Sequence, residues 1–213
     1  MSNDRIVWID CEMTGLELGT DELIEVAVHV TDFELNVLDE GIDVVIAPSQ
    51  TALDNMNDFV TDMHTKSGLL PELAHGTTVA DAQRQVLEHV RTYVPEAGKA
   101  PLGGNSVGTD KGFLQRQMPE LVDHLHYRII DVSSVKELAK RWYPRAYYRA
   151  PEKTGGHRAL GDIQDSIAEL KYYRSIVFRQ DGGPTSDEAQ AAAEAVVAAR
   201  PDATGAGVSD ADA

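Results

Sequence analysis

The chain has 213 residues, 35 acidic against 19 basic side chains, a formal charge of -16 and a single cysteine. That length suits one domain of ordinary size with a full hydrophobic core, and one Cys excludes an internal disulfide framework. A balance this acidic disfavours tracking along extended nucleic acid, where Lys and Arg must neutralise phosphates, but it leaves open a short polyanion held in a small pocket. No apolar run approaches the ~20 residues of a membrane span and no signal-peptide pattern is read, so a soluble, cytoplasmic protein without membrane partners is expected.

Residues 6–9, Ile-Val-Trp-Ile, read as a buried strand that continues through Asp10, Cys11 and Glu12 to a stop at Gly15. A carboxylate inside such a strand is costly unless it is paired or binds metal. Residues i and i+2 of a strand project from one face about 6–7 Å apart, so Asp10 and Glu12 can converge on one cation while Cys11 points to the core. The alternative is a strand end leaving the core with two solvated acids, and partners further along the chain decide between the two. Residues 23–31 and 37–46 read as two more strands in a hairpin across a polar link, with His29 a structural residue.

Residues 48–78 are polar and turn-rich, with Met56, Phe59 and Met63 near helical spacing, and suggest one short helix and a loop. Thr78 opens a clearer helix, with Val79, Ala82, Val86, Leu87, Val90 and Val94 on one face and Pro95 as its stop. A short strand is expected near 100–102, followed by a glycine-rich turn at 103–108. That turn lacks the Gly-Lys-Ser/Thr ending of a phosphate loop. It is read as delivering Asp110 to a helix start, where capping is its plainest role.

Residues 127–132 read as a strand that enters a helix through Asp131, Ser133 and Ser134, with Val135, Leu138, Ala139 and Trp142 apolar. Residues 143–156, with Tyr147, Tyr148, Arg149 and Lys153, form a basic aromatic loop, either a nucleic-acid surface or a loop packed on the last helix. That helix spans about 158–178 with Leu160, Ile163, Ile167, Leu170 and Tyr173 inward. Strands first, then helices alternating with strands, imply an α/β layer fold with a mixed sheet. Residues 181–213 turn to Ala, Gly, Asp and Pro, with seven acids against Arg200. A mobile tail of marginal helicity is expected there, Thr185 and Glu188 being spaced as a capping box.

His157 and Asp162 lie at the start of the last helix. Together with Asp10, Glu12 and Asp110, Asp162 would make four carboxylates, about matching two divalent cations in charge; without metal they would repel one another and any phosphate. Two cations roughly 3.5–4 Å apart suit in-line attack of water on a phosphodiester. His157 can take the proton, an imidazole being suited to general-base work near neutral pH. Asp165 is the rival for the fourth carboxylate, and the spacing from His157 favours Asp162. His124 and His126 lack the Cys pair or acid that a zinc site needs.

Residues 10–16, Asp-Cys-Glu-Met-Thr-Gly-Leu, 104–110, Gly-Asn-Ser-Val-Gly-Thr-Asp, 126–133, His-Tyr-Arg-Ile-Ile-Asp-Val-Ser, and 156–162, Gly-His-Arg-Ala-Leu-Gly-Asp, closely resemble the oligoribonucleases within the DEDDh exonucleases. The resemblance runs in order over about residues 5–180. It implies an α/β exonuclease domain over 1–180 of ribonuclease H-like fold, a mixed five-stranded sheet flanked by helices. The implied activity is 3′-to-5′ hydrolysis of short RNAs, down to dinucleotides, to 5′-mononucleotides. Asp10, Glu12, Asp110 and Asp162 are implied as ligands of two Mg²⁺ or Mn²⁺ ions, and His157 as general base. Leu16 matches a wedge between bases, and Phe59 stands where better-known members carry a stacking Trp. His64 matches a wall of the substrate pocket, while Ser106, Arg128 and Ser133 match groups on the terminal 5′ phosphate. The family works as a homodimer, in which Tyr127, beside His126, matches a residue supplied by the other subunit. An exonuclease of longer strands is disfavoured by the acidic surface and by Arg128, Ser106 and Ser133. A non-catalytic module would break at least one of the five catalytic positions, and all five are filled.

Overall fold

Three antiparallel strands come first, as their β-branched alternation predicts: β1 (Arg5–Met13), β2 (Leu23–Asp32) and β3 (Ile42–Val45). The structure, a computed structural model, describes residues 4–153 and 156–200. Next in the chain are α1 (Gln50–Asn55), α2 (Asp58–Lys66), a 3-10 helix (Leu70–His75), α3 (Val79–Tyr93) and β4 (Pro101–Gly104). They are followed by α4 (Gly108–Gln117), α5 (Pro119–His124), β5 (His126–Asp131), α6 (Val132–Trp142), α7 (Pro144–Tyr147), α8 (Ala159–Val177) and α9 (Ser186–Ala198). The five strands form one mixed sheet in the order β3-β2-β1-β4-β5, with β4 and β5 parallel to β1.

β1 is the central strand, and its alternation sends side chains into two cores. Val7, Ile9, Cys11 and Met13 face one shared with Val86, Leu87 and Val90 of α3 and Phe113 and Leu114 of α4. Ile6 and Trp8 face another with Ala159, Ile163 and Ile167 of α8. Asp10 and Glu12 continue that even-numbered face, so period-two geometry brings both out towards the start of α8. Trp8 is fully buried, its indole N–H donating to Thr31 Oγ1 at 2.9 Å. Beneath it β4 has Gly103, where a Cβ would lie 2.8 Å from Ile6 Cγ2 and 3.1 Å from Trp8 Cε3. Only glycine lets the strand pass under the tryptophan.

Several elements depart from the sequence expectation. The strand expected over 37–46 pairs continuously only from Ile42, with Val37 making an isolated bridge to Thr31. Between them Asp39 turns inward and accepts from Val30 N–H at 3.1 Å while contacting the ring nitrogens of His29 at 2.9 Å and His89 at 2.6 Å. Residues 48–78 hold two α-helices and a 3-10 helix, because Ser49 and Asn57 each supply a cap, to Ala52 N–H and Val60 N–H. The short α5, opened by Pro119, follows α4 directly. The loop expected over 143–156 contains α7, tied to α8 by Tyr172 Oη donating to the Ala146 carbonyl at 2.7 Å.

The chain divides into two compact units, one ending at Val177 and the other beginning at Phe178. In the second, Thr185 and Glu188 form the reciprocal capping box at the start of α9. Gly155 and the tail beyond Arg200 lie outside the described residues. No described helix is long and apolar enough to cross a membrane.

Candidate active site

Three elements deliver the acids. On β1, Glu12 stands opposite Glu25 of β2 in the regular register, which slips immediately after it, between Glu12 and Met13, at a bulge. On α4, Asp110 is the third residue, inside the first turn and past the cap position held by Val107. It reaches back to the central strand, where its Oδ1 accepts the Cys11 backbone N–H at 3.1 Å. On α8, Asp162 lies in the first turn, and His157 precedes the helix with φ 60°, in the left-handed region. Glu12, His157 and Asp162 each offer a ligand atom, all within 4.8 Å of one another.

The electrostatics fit a cation site. Burial first, then the charges of Asp110, Asp162 and Glu12, push Asp10 up to about 9 from an ordinary 3.8. Burial, then Glu25, Asp162 and Asp110, push Glu12 up to about 8. Burial raises Asp110 to about 6, and it raises Asp162 as well. These acids crowd one another without enough cationic side chains to balance them, which is the donor set and charge that hard divalent cations take.

A cavity of about 810 Å³ is lined by Glu12 and Asp110 together with Leu16, Phe59 and Ser106. Leu16 and Phe59 are 75% and 77% exposed, so two large apolar side chains stand on its wall with little packed over them. The loop bearing Leu16 is held by Asp21, which accepts from Thr14 Oγ1 at 2.9 Å and from Glu17 N–H at 2.8 Å. A Cβ at Gly15 would lie 2.4 Å from the same carboxylate. His64 is fully buried, next to Glu12 and Met13, which line the cavity. Its Nε2 lies 3.0 Å from the Met13 carbonyl and its Nδ1 3.9 Å from Glu12, so it backs the bulge from behind.

Ser106 and Ser133 meet with hydroxyls 3.1 Å apart. Asp131 Oδ1 accepts the backbone N–H of both, at 3.0 and 2.9 Å, and Ser106 adopts φ 52° to turn towards it. Arg128 and Tyr127 lie exposed on the edge strand β5, the guanidinium 5.4 Å from the Tyr127 ring centre and His126 stacked on that ring at 4.5 Å. The fold thus gathers Asp10, Glu12, Asp110, Asp162 and His157 in one place. Leu16, Phe59 and Ser106 line the adjoining cavity with Ser133 next to Ser106, while His126, Tyr127 and Arg128 lie outside its lining.

Reading the sequence missed the clamp that holds the His157 segment. Fully buried Glu25 accepts Arg158 Nε at 2.7 Å with one oxygen and the Ala159 N–H with the other at 2.9 Å. The same guanidinium pairs with Glu72 at 3.0 Å and approaches Asp43 at 3.7 Å. The signal was present: Glu25 interrupts an apolar strand just as Asp10 and Glu12 do.

An exonuclease family model of the RNase T type matches residues 7–170. The chain is 65% identical over 198 residues to an oligoribonuclease of Streptomyces coelicolor, covering 92% of this chain and 99% of that one. To an oligoribonuclease of Leifsonia xyli it is 58% identical, covering 92% and 95%. Among solved structures it is similar to E. coli exonuclease I in complex with a dA13 oligonucleotide, with a TM-score of 0.61 at 17% identity, covering 84% of this chain and 41% of that one. Exonuclease I of Methylocaldum szegediense gives 0.59 at 16%, with 84% and 41% covered. The chain spans about four-tenths of those exonuclease I chains, and the likeness is one of fold, ribonuclease H-like.

Proposed function

The chain belongs to the oligoribonuclease family of hydrolytic exonucleases, and from that premise we propose that it removes nucleotides from the 3′ end of RNAs a few nucleotides long, dinucleotides above all, releasing 5′-mononucleotides. The observation that carries this reading is the convergence of four carboxylates and His157, two of them, Glu12 and Asp110, lining a cavity with Leu16, Phe59 and Ser106.

Asp10, Glu12, Asp110 and Asp162 would hold two divalent cations, Mg²⁺ or Mn²⁺, which when bound make a water nucleophilic near neutral pH and neutralise charge on the scissile phosphate. His157 accepts the proton of the attacking water, and its exposure lets it pass that proton to solvent. Leu16 and Phe59 hold the bases, the phenyl ring offering a smaller stacking face than the Trp of better-known members. Ser106, Ser133 and Arg128 take the terminal 5′ phosphate, a guanidinium being suited to bidentate contact with it. A site closed at that phosphate admits short strands and rejects long ones. Catalysis is assigned to residues 1–180, working in the cytoplasm, with no catalytic role for the acidic 181–213.

The same reading makes the enzyme a homodimer in which Tyr127, exposed on an edge strand beside His126, serves the partner's site. Light scattering at micromolar concentration is expected to give twice the 23.2 kDa chain mass. A monomer would remove the shared role of Tyr127.

The deciding assay uses 5′-labelled RNAs of two and of about twenty nucleotides, each with Mg²⁺ and with chelator. Metal-dependent release of mononucleotide from the dimer, with slow cutting of the long strand, is the expected result. Rapid trimming of the long strand would move the assignment to a general exonuclease, and no cleavage of either would overturn it.

A further inference from the structure

We propose that Asn105 is a positioning residue, holding the hydroxyls of Ser106 and Ser133 in register with the turn of α8 that carries Asp162, and thereby setting the preference for 5′-phosphorylated short strands. This rests on the reading of Ser106 and Ser133 as the terminal-phosphate pocket.

Asn105 follows β4, half-buried, and uses its whole amide. Nδ2 donates to Ser166 Oγ at 2.9 Å and to Glu169 Oε2 at 3.0 Å, and Oδ1 accepts Ser133 Oγ–H at 3.0 Å. Glu169 is a buried carboxylate whose other oxygen meets Lys136 Nζ at 3.0 Å. With Lys136 donating to that oxygen, the carboxylate presents its second oxygen to Asn105 as an acceptor, which fixes the amide orientation. Directions then follow from counting protons. Ser166 gives its single hydroxyl proton to the Asp162 carbonyl at 2.8 Å, so it faces Asn105 as an acceptor. Ser133 gives its proton to Asn105, so it faces the Ser106 N–H at 3.0 Å and the Ser106 hydroxyl at 3.1 Å as an acceptor. One directed chain runs from Ser106 through Ser133, Asn105 and Ser166 to the backbone of Asp162. The solvent-exposed Ser106 hydroxyl is its first donor, free to turn onto a phosphate oxygen.

The two ends are not held alike. The start of α8 has an independent anchor, Glu25 on the Ala159 N–H and on Arg158. Removing the Asn105 amide therefore frees the serine hydroxyls, on a backbone that Asp131 still holds, while leaving Asp162 in place.

The test compares kcat/KM on a 5′-phosphorylated dinucleotide, its unphosphorylated counterpart and a strand of about twenty nucleotides. Asn105→Ala is expected to lose about tenfold on the phosphorylated dinucleotide, mostly in KM, and much less on the other two. Asn105→Asp keeps the shape but has no N–H to give and faces Glu169 with a like charge, so it shows the same loss. Adding Glu169→Gln to Asn105→Asp exchanges donor and acceptor across the contact and restores most of the preference. This pair decides the matter if Asn105→Ala does not fold. A wild type indifferent to the 5′ phosphate would overturn both the pocket reading and this inference. A wild type with the preference and an Asn105→Ala that keeps it, or that loses equally on all three substrates, would overturn this inference alone.

Discussion

Asp10→Asn is expected to lower kcat by about a thousandfold or more while making the metal-free protein more stable in mildly alkaline buffer. The first effect follows from its place: Asp10 sits among Glu12, Asp110 and Asp162, and a metal site that loses one carboxylate loses charge stabilisation of several kcal/mol, each ~1.4 kcal/mol being tenfold in rate. The second follows from the upward shifts of Asp10, to about 9, and of Glu12, to about 8. Both folded-state values lie above the ordinary ones, so between about pH 4 and 9 the folded chain binds more protons than the unfolded chain. Their contribution is therefore complete below the ordinary carboxylate range and declines as pH rises through the folded values. Wild type in chelator should melt lower at about pH 8 than at about pH 6, and Asn at position 10 should flatten that slope. A divalent cation should raise the wild-type melting temperature at the higher pH and leave the variant nearly unmoved. A variant with wild-type activity, or a chelated wild type that stabilises as pH rises, would remove Asp10 from the metal site.

Arg158→Ala is expected to cost about 3 kcal/mol of stability, the lower end of the range for stripping one partner from a buried pair. Glu25 is fully buried, and without the guanidinium it keeps the Ala159 N–H and its contact with the Asp43 carboxyl but no cation to balance its charge. The lower end applies because Arg158 itself is partly exposed and shared with Glu72 and Asp43. Activity should fall with stability, since His157 and Asp162 lie on either side of the clamp. Denaturant titration measures the effect. The double replacement Arg158→Met with Glu25→Met should recover much of the loss, because an apolar pair of similar volume needs no charge compensation. A loss below about 1 kcal/mol in the single variant would show that the start of α8 is held by something other than this pair.

Much of this was legible from local pattern. Strand alternation set Asp10 and Glu12 on one face and Cys11 on the other, and the structure keeps that division, with Cys11 in the core under α3 and α4 and the acids continuing the face of Ile6 and Trp8. Thr78 as cap and the apolar stripe to Val94 placed α3 within a residue or two. The short α5 and α7 were not legible, since helices of 6 and 4 residues carry too little periodicity to stand out and form through tertiary contact. β3 fell short of its predicted span because Asp39 leaves the strand to meet His29 and His89, a choice made by partners 10 and 50 residues away.

By itself the sequence determined the strand that carries Asp10 and Glu12, the helix that carries Asp162, the mixed α/β class and, through four ordered motifs, the family. Only the tertiary structure decided that His64 stands behind Glu12, that Asn105 joins Ser133 to Ser166, and that Glu25 grips Arg158 from 133 residues away. The difference is physical. Alternation and capping are properties of neighbouring residues in the chain, whereas a buried polar group must be satisfied by whatever donor or acceptor the packed fold sets beside it.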